Sequence, residues 1–91
     1  MTQEQNNILI QHFQNNLTEA ETILAKLEDR MICIEESLKR DREDGDWISY
    51  SEDIDRLGDL MRDHRIWSGK RIAYRQALTA AKAFRPEIAE E

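Results

Sequence analysis

From Ile10 onward apolar residues recur at alternating steps of three and four: Ile10, Phe13, Leu17, Ala20, Leu24, Leu27, Met31, Ile34 and Leu38. Side chains at that spacing fall on one face of an α-helix. A seven-residue repeat held over this span also keeps the stripe aimed at a single neighbour, as in left-handed coiled-coil packing. The pattern predicts a first helix over about 3–42, roughly 60 Å long at 1.5 Å per residue. Leu9, Ile23 and Ile32 flank the stripe and widen it beyond a two-stranded seam, toward the face of a bundle helix. So long a rod in so short a chain predicts that a second copy covers it, with Ile10, Phe13, Leu17, Leu24, Leu27, Met31, Ile34 and Leu38 as the oligomer interface.

The period stops after Leu38, and charges then crowd around Gly45, the residue type that most readily takes the left-handed conformation of a helix terminus. This predicts a turn over 43–48. Ser49 followed three residues later by Glu52 has the form of a capping box and predicts a second helix over 49–84. Its apolar face is noisier: Ile54, Leu57, Leu60, Met61, Trp67, Tyr74, Leu78, Ala81 and Phe84. Ser68-Gly69 is a place where this helix can kink or break. Gly58 is either tolerated at a cost of about 1 kcal/mol against alanine or marks a close helix crossing. Pro86 disfavours helical backbone at Arg85, leaving residues 86–91 as an acidic tail.

Composition supports helices throughout. The 91 residues include one proline, three glycines and no valine, so helix breakers and the commonest strand former are both scarce. The expected fold is all-α: a long antiparallel helical hairpin forming a single domain over 1–91 and assembling into a dimeric helical bundle. The single cysteine, Cys33, cannot close a disulfide within the chain, and "MTQEQNNILIQHF" lacks the basic region and apolar run of a secretory signal. No window approaches eighteen uninterrupted apolar residues. These features predict a cytoplasmic protein with no membrane partner.

Charge divides the chain. The net charge is −6, yet Arg62–Arg85 holds seven Lys/Arg against one Asp and carries +6, so the remainder carries −12. In an antiparallel hairpin the basic segment lies beside Glu4, Glu19 and Glu21. Exposed pairs of this kind add only about 0–1 kcal/mol each but select orientation. Within the segment, "HRIWSGKRIAYR" admits two readings. Either Trp67 and Tyr74 belong to the core and the cations to ion pairs, or Arg65, Trp67, Lys70, Arg71, Tyr74 and Arg75 form a site that stacks and neutralises a nucleotide or single strand. The acidic total argues against polymeric nucleic acid. The acidic stretch Asp41–Asp59 is either a solvated turn or a surface that imitates the charge of nucleic acid toward a basic partner, as an inhibitor would, with Asp44, Asp46, Trp47 and Asp53 as its candidates. Packing over the hairpin end would account for Trp47.

Candidate chemistry is sparse. His12 and His64 lack the clustering of a zinc site, and no Glu-x-x-His run suggests a di-iron bundle. No catalytic residue, metal ligand or cofactor is assigned, and no enzyme is expected. His64 falls at an inward position, where a hydrogen-bonded boundary histidine is expected.

Asp46-Trp47 followed by "YRQAL", Tyr74–Leu78, resembles the C-terminal pattern of phage tail fibre assembly chaperones. The likeness covers seven residues, without the proline-rich ending that follows in that family. It implies a phage or prophage origin. The functional expectation is a small interaction module, an adaptor, assembly chaperone or inhibitor, with itself and another protein as partners.

Overall fold

The computed structural model describes residues 1–85 and contains two helices, α1 (Gln3–Asp44) and α2 (Trp47–Lys82). They lie side by side along their length as an extended antiparallel hairpin of 75 × 14 × 13 Å. The acidic tail read over 86–91 lies outside the described residues.

Local chemistry fixes both ends of α1. Thr2 accepts a hydrogen bond from the Gln5 N–H at 3.1 Å while the Gln5 side chain accepts one from the Thr2 N–H at 2.8 Å, a reciprocal cap that satisfies two otherwise unpaired donors. At the other end Gly45 takes φ 69°, ψ 22°, a left-handed conformation cheap only for a residue without a Cβ. That residue reverses the chain so tightly that the turn is two residues, Gly45 and Asp46, and not the 43–48 loop read from the sequence. Asp46 therefore reaches the start of α2 first. Its carboxylate accepts from the Ser49 N–H at 3.1 Å and from the Ser49 hydroxyl at 2.8 Å, so Ser49 is capped and is not itself the cap.

α2 runs unbroken through Ser68 and Gly69, where the sequence allowed a kink or break. Gly58 is exposed, and a Cβ built on it would meet nothing within 4 Å. No close helix crossing explains it.

The core is a seam one side chain wide. Ala20, Leu24, Leu27, Leu38, Leu78 and Ala81 are buried. Ile10, Phe13, Leu17, Met31 and Ile34 are half-buried, as are Leu57, Leu60, Trp67 and Tyr74 on α2. The stripe assigned from sequence to a second copy is thus largely engaged by the chain's own α2. Leu24 keeps 2% of its surface exposed within one chain.

The seam positions of α2 follow the series 53, 57, 60, 64, 67, 71, 74, 78 and 81, and this explains two misplaced residues. Ile54 and Met61, read as inward, lie one position off it and are 44% and 49% exposed. Asp53, His64 and Arg71 take seam places instead. Asp53 is buried and the other two are half-buried.

Candidate interaction surfaces

Polar groups close both ends of the seam. At the open end Asn6 is 2% exposed and donates to the Ala81 carbonyl at 2.8 Å, which ties the first turn of α1 to the last turn of α2. At the turn end Asp53 is 5% exposed. It accepts from the Ser37 hydroxyl at 2.7 Å and from Arg56 at 3.2 Å. Those bonds, Ser37 first, and one from Asp41 hold its carboxyl below the usual carboxylate range. Asp41 moves the other way, to about 6, chiefly through its hydrogen bond with Asp53 and then through burial. Its Oδ2 is buried without a donor facing it. Two adjacent carboxylates resist ionising together, so the neighbouring Asp53 favours the protonated form of Asp41.

Of the four residues read as an acidic partner surface, Asp44, Asp46 and Trp47 are exposed at the tip, whereas Asp53 faces inward. Asp46 is engaged as a cap, and the Ser49 N–H and hydroxyl lower its pKa. Trp47 does not pack over the hairpin end. It is 61% exposed, with its ring edge-on to Tyr50 at 5.6 Å, because α2 begins at Trp47 and directs the indole outward. Ile48 beside it is 77% exposed. The tip is therefore both acidic and apolar.

The basic-aromatic segment does not form one patch. At 100° per residue, Arg65, Lys70 and Arg75 are separated by about 140°, 140° and 80° around α2. Lys70 sits over the Trp67 ring at 4.2 Å, and Arg75 lies 3.9 Å from Glu21 across the hairpin. Trp67 and Tyr74 are half-buried in the seam. Arg71 is also half-buried there, its Nε enclosed without an acceptor. His64 bridges the helices as the boundary reading expects, bonding Glu28 at 3.1 Å and Ser68 at 3.4 Å.

Two apolar grooves open on one side of the hairpin. The first, about 520 Å³, lies toward the turn and is lined by Asp29, Arg30, Cys33, Ile34, Arg56, Asp59 and Leu60. The second, about 350 Å³, lies toward the open end, where Leu9, Phe13, Ala77, Ala80 and Phe84 are among its lining. Cys33 is free and exposed. Among the described residues no group of three His, Cys, Asp or Glu could hold a metal ion, and no helix is long and apolar enough to cross a membrane.

Asn6, Asp41 and Arg71 were absent from the apolar lists because they are polar. The signal that finds them is the three-four spacing itself, continued back from Ile10, forward from Leu38 and along α2 without regard to polarity. The fold defines the class, an extended antiparallel helical hairpin, and no protein-family model, curated protein or solved structure matches the chain.

Proposed function

We propose that this chain is a non-enzymatic protein-interaction module, an adaptor, assembly chaperone or inhibitor, that self-associates and also binds a different protein. The observation that carries the reading is the placement of large apolar side chains. The seam engages its own share, yet Trp47 and Ile48 stand side by side at the tip, 61% and 77% exposed, and a contiguous apolar patch rimmed by polar residues marks an interaction site. Trp47 and Ile48, flanked by Asp44 and Asp46, suit a partner with an apolar recess edged by basic side chains, because a central apolar anchor within a charged rim is the usual anatomy of an interface. A phage or prophage origin, suggested by the "YRQAL" likeness, belongs to the same proposal.

Two measurements test it. Sedimentation over a concentration series should show a species larger than one chain at micromolar concentration, and a stable monomer would remove the self-association limb. Immobilised protein should retain a defined partner from lysate that the double variant Trp47→Ser/Ile48→Ser does not retain at equal helicity. Identical capture by both would end the tip reading.

A further inference from the structure

The two grooves are related by more than their apolar lining. Leu9 and Arg30 are 21 residues apart, as are Arg56 and Ala77, and 21 residues are three whole heptads. Both grooves therefore open on the same side of the supercoiled pair. The positions between them continue that side. On α2 the steps of seven from Asp59 to Ala80 pass through Ile66, 51% exposed, and the exposed Ala73. On α1 the steps from Leu9 to Arg30 pass through Asn16 and Ile23, both half-buried.

Along α1 and its N-terminal approach the grooves centre near residues 32 and 7, so their midpoint falls near residue 19, toward the middle of Gln3–Asp44. A two-fold axis there, perpendicular to the helices, would lay each groove of one chain against the other groove of a second copy over nearly the whole length. Charge selects the same arrangement. The turn half, residues 29–61, holds five Lys/Arg against eleven Asp/Glu, or −6. The open half, residues 1–28 and 62–85, holds eight against five, or +3. The three glutamates of residues 86–91 lie outside the described residues and are not counted. Antiparallel stacking sets opposite signs together, whereas parallel stacking sets two −6 halves side by side.

Area is sufficient. A face 75 Å by 13 Å offers roughly 1,000 Å², against the ~800 Å² per partner of a standard stable interface. The whole chain exposes 6923 Å², where a compact monomer of 10.8 kDa would expose roughly 5,500 Å².

We propose that the occupant of this face is a second copy of the chain, packed antiparallel through the side bearing Leu9, Ile23, Cys33, Ile66, Ala73 and Phe84 to form a four-helix bundle. The proposal rests on the self-association read above and fixes its surface and direction.

The native single cysteine makes the test direct. In the antiparallel bundle the two Cys33 residues lie about 27 residues apart along the axis, roughly 40 Å at 1.5 Å per residue. In a parallel bundle they lie at one height, within about 20 Å across two helix diameters. Spin labels on Cys33 of the full chain, read by dipolar spectroscopy, should give the longer distance. The same measurement on Cys33→Ser/Glu36→Cys moves the label away from the groove and should give about 50 Å by the same arithmetic.

Without labels, Ile66→Glu should weaken the dimer about tenfold or more in sedimentation while keeping its helicity, because it places a carboxylate in the interface. Ile72→Glu, at an equally exposed position on the other side (52%), should leave the dimer intact. A dimer with the short distance, or one indifferent to Ile66→Glu, overturns the proposed face and direction while leaving self-association standing. A monomer at every concentration overturns both.

Discussion

Along α1 every seam position from Ile10 to Leu38 is apolar, whereas the facing seam of α2 contains Asp53, His64 and Arg71. The two helices share one interface and contribute to it differently. α1 supplies area. α2 supplies less area but carries groups with fixed partners, Asp53 to Ser37 and His64 to Glu28, and such pairs define register because a slip by one turn leaves them unpaired. The apolar residues displaced from the α2 seam, Ile48, Ile54, Met61, Ile66 and Ile72, stand on its outer faces, which is why the candidate surfaces draw more on α2 than on the stripe of α1.

The sharpest break of this contrast is Leu24→Asp, which puts an uncompensated carboxylate at a nearly closed seam position. It should destabilise the hairpin by several kcal/mol and abolish the helical signal in circular dichroism, not merely separate subunits. Arg71→Met works in the opposite direction. It removes a partly enclosed guanidinium with an unpaired Nε from the polar seam, and should raise stability by about 1 kcal/mol in denaturant unfolding.

Gly58→Ala tests the outer face of α2. Nothing stands near a new Cβ there, so a gain of about 0.5–1 kcal/mol in thermal unfolding is expected, while a loss would reveal an undetected neighbour. The smallest effect is a change of pH profile. Asp41 has a raised carboxyl near 6 against an ordinary 3.8, so its contribution is complete below about 3.8 and is lost as pH climbs through about 6. Asp53 and Asp46, both lowered, contribute above about 3.8 and lose that contribution as pH falls. Melting temperature should therefore peak between these limits, and Asp41→Asn should flatten the decline on the alkaline side.

The architecture was legible because two signals were redundant. Nine apolar residues in step specified α1, and a glycine among charges specified its end. The second face was not, for a physical reason: seam occupancy is set by position on the helix, whereas sequence reading selects by hydrophobicity. Where the two part company, at Asp53 against Ile54, hydrophobicity selects a neighbour outside the seam, and beside Leu60, which does hold a seam place, it adds the exposed Met61. The direction of Trp47 was equally hidden, because it depends on Asp46 and not Ser49 acting as the cap. The basic-aromatic segment looked like a site because twelve residues of sequence are compact, but three turns of helix distribute its cations around a cylinder.

Among the described residues the chain reverses once, at Gly45, and this has another consequence. Each contact between α1 and α2 joins residues farther apart in sequence the farther it stands from that corner, so ordering them in turn closes only a short additional loop at each step. Assembly should begin at the corner and close toward the termini like a zip, and amide exchange should quicken steadily in the same direction. The Asn6 bond to Ala81 is the last tooth, and its loss should accelerate exchange near the termini first.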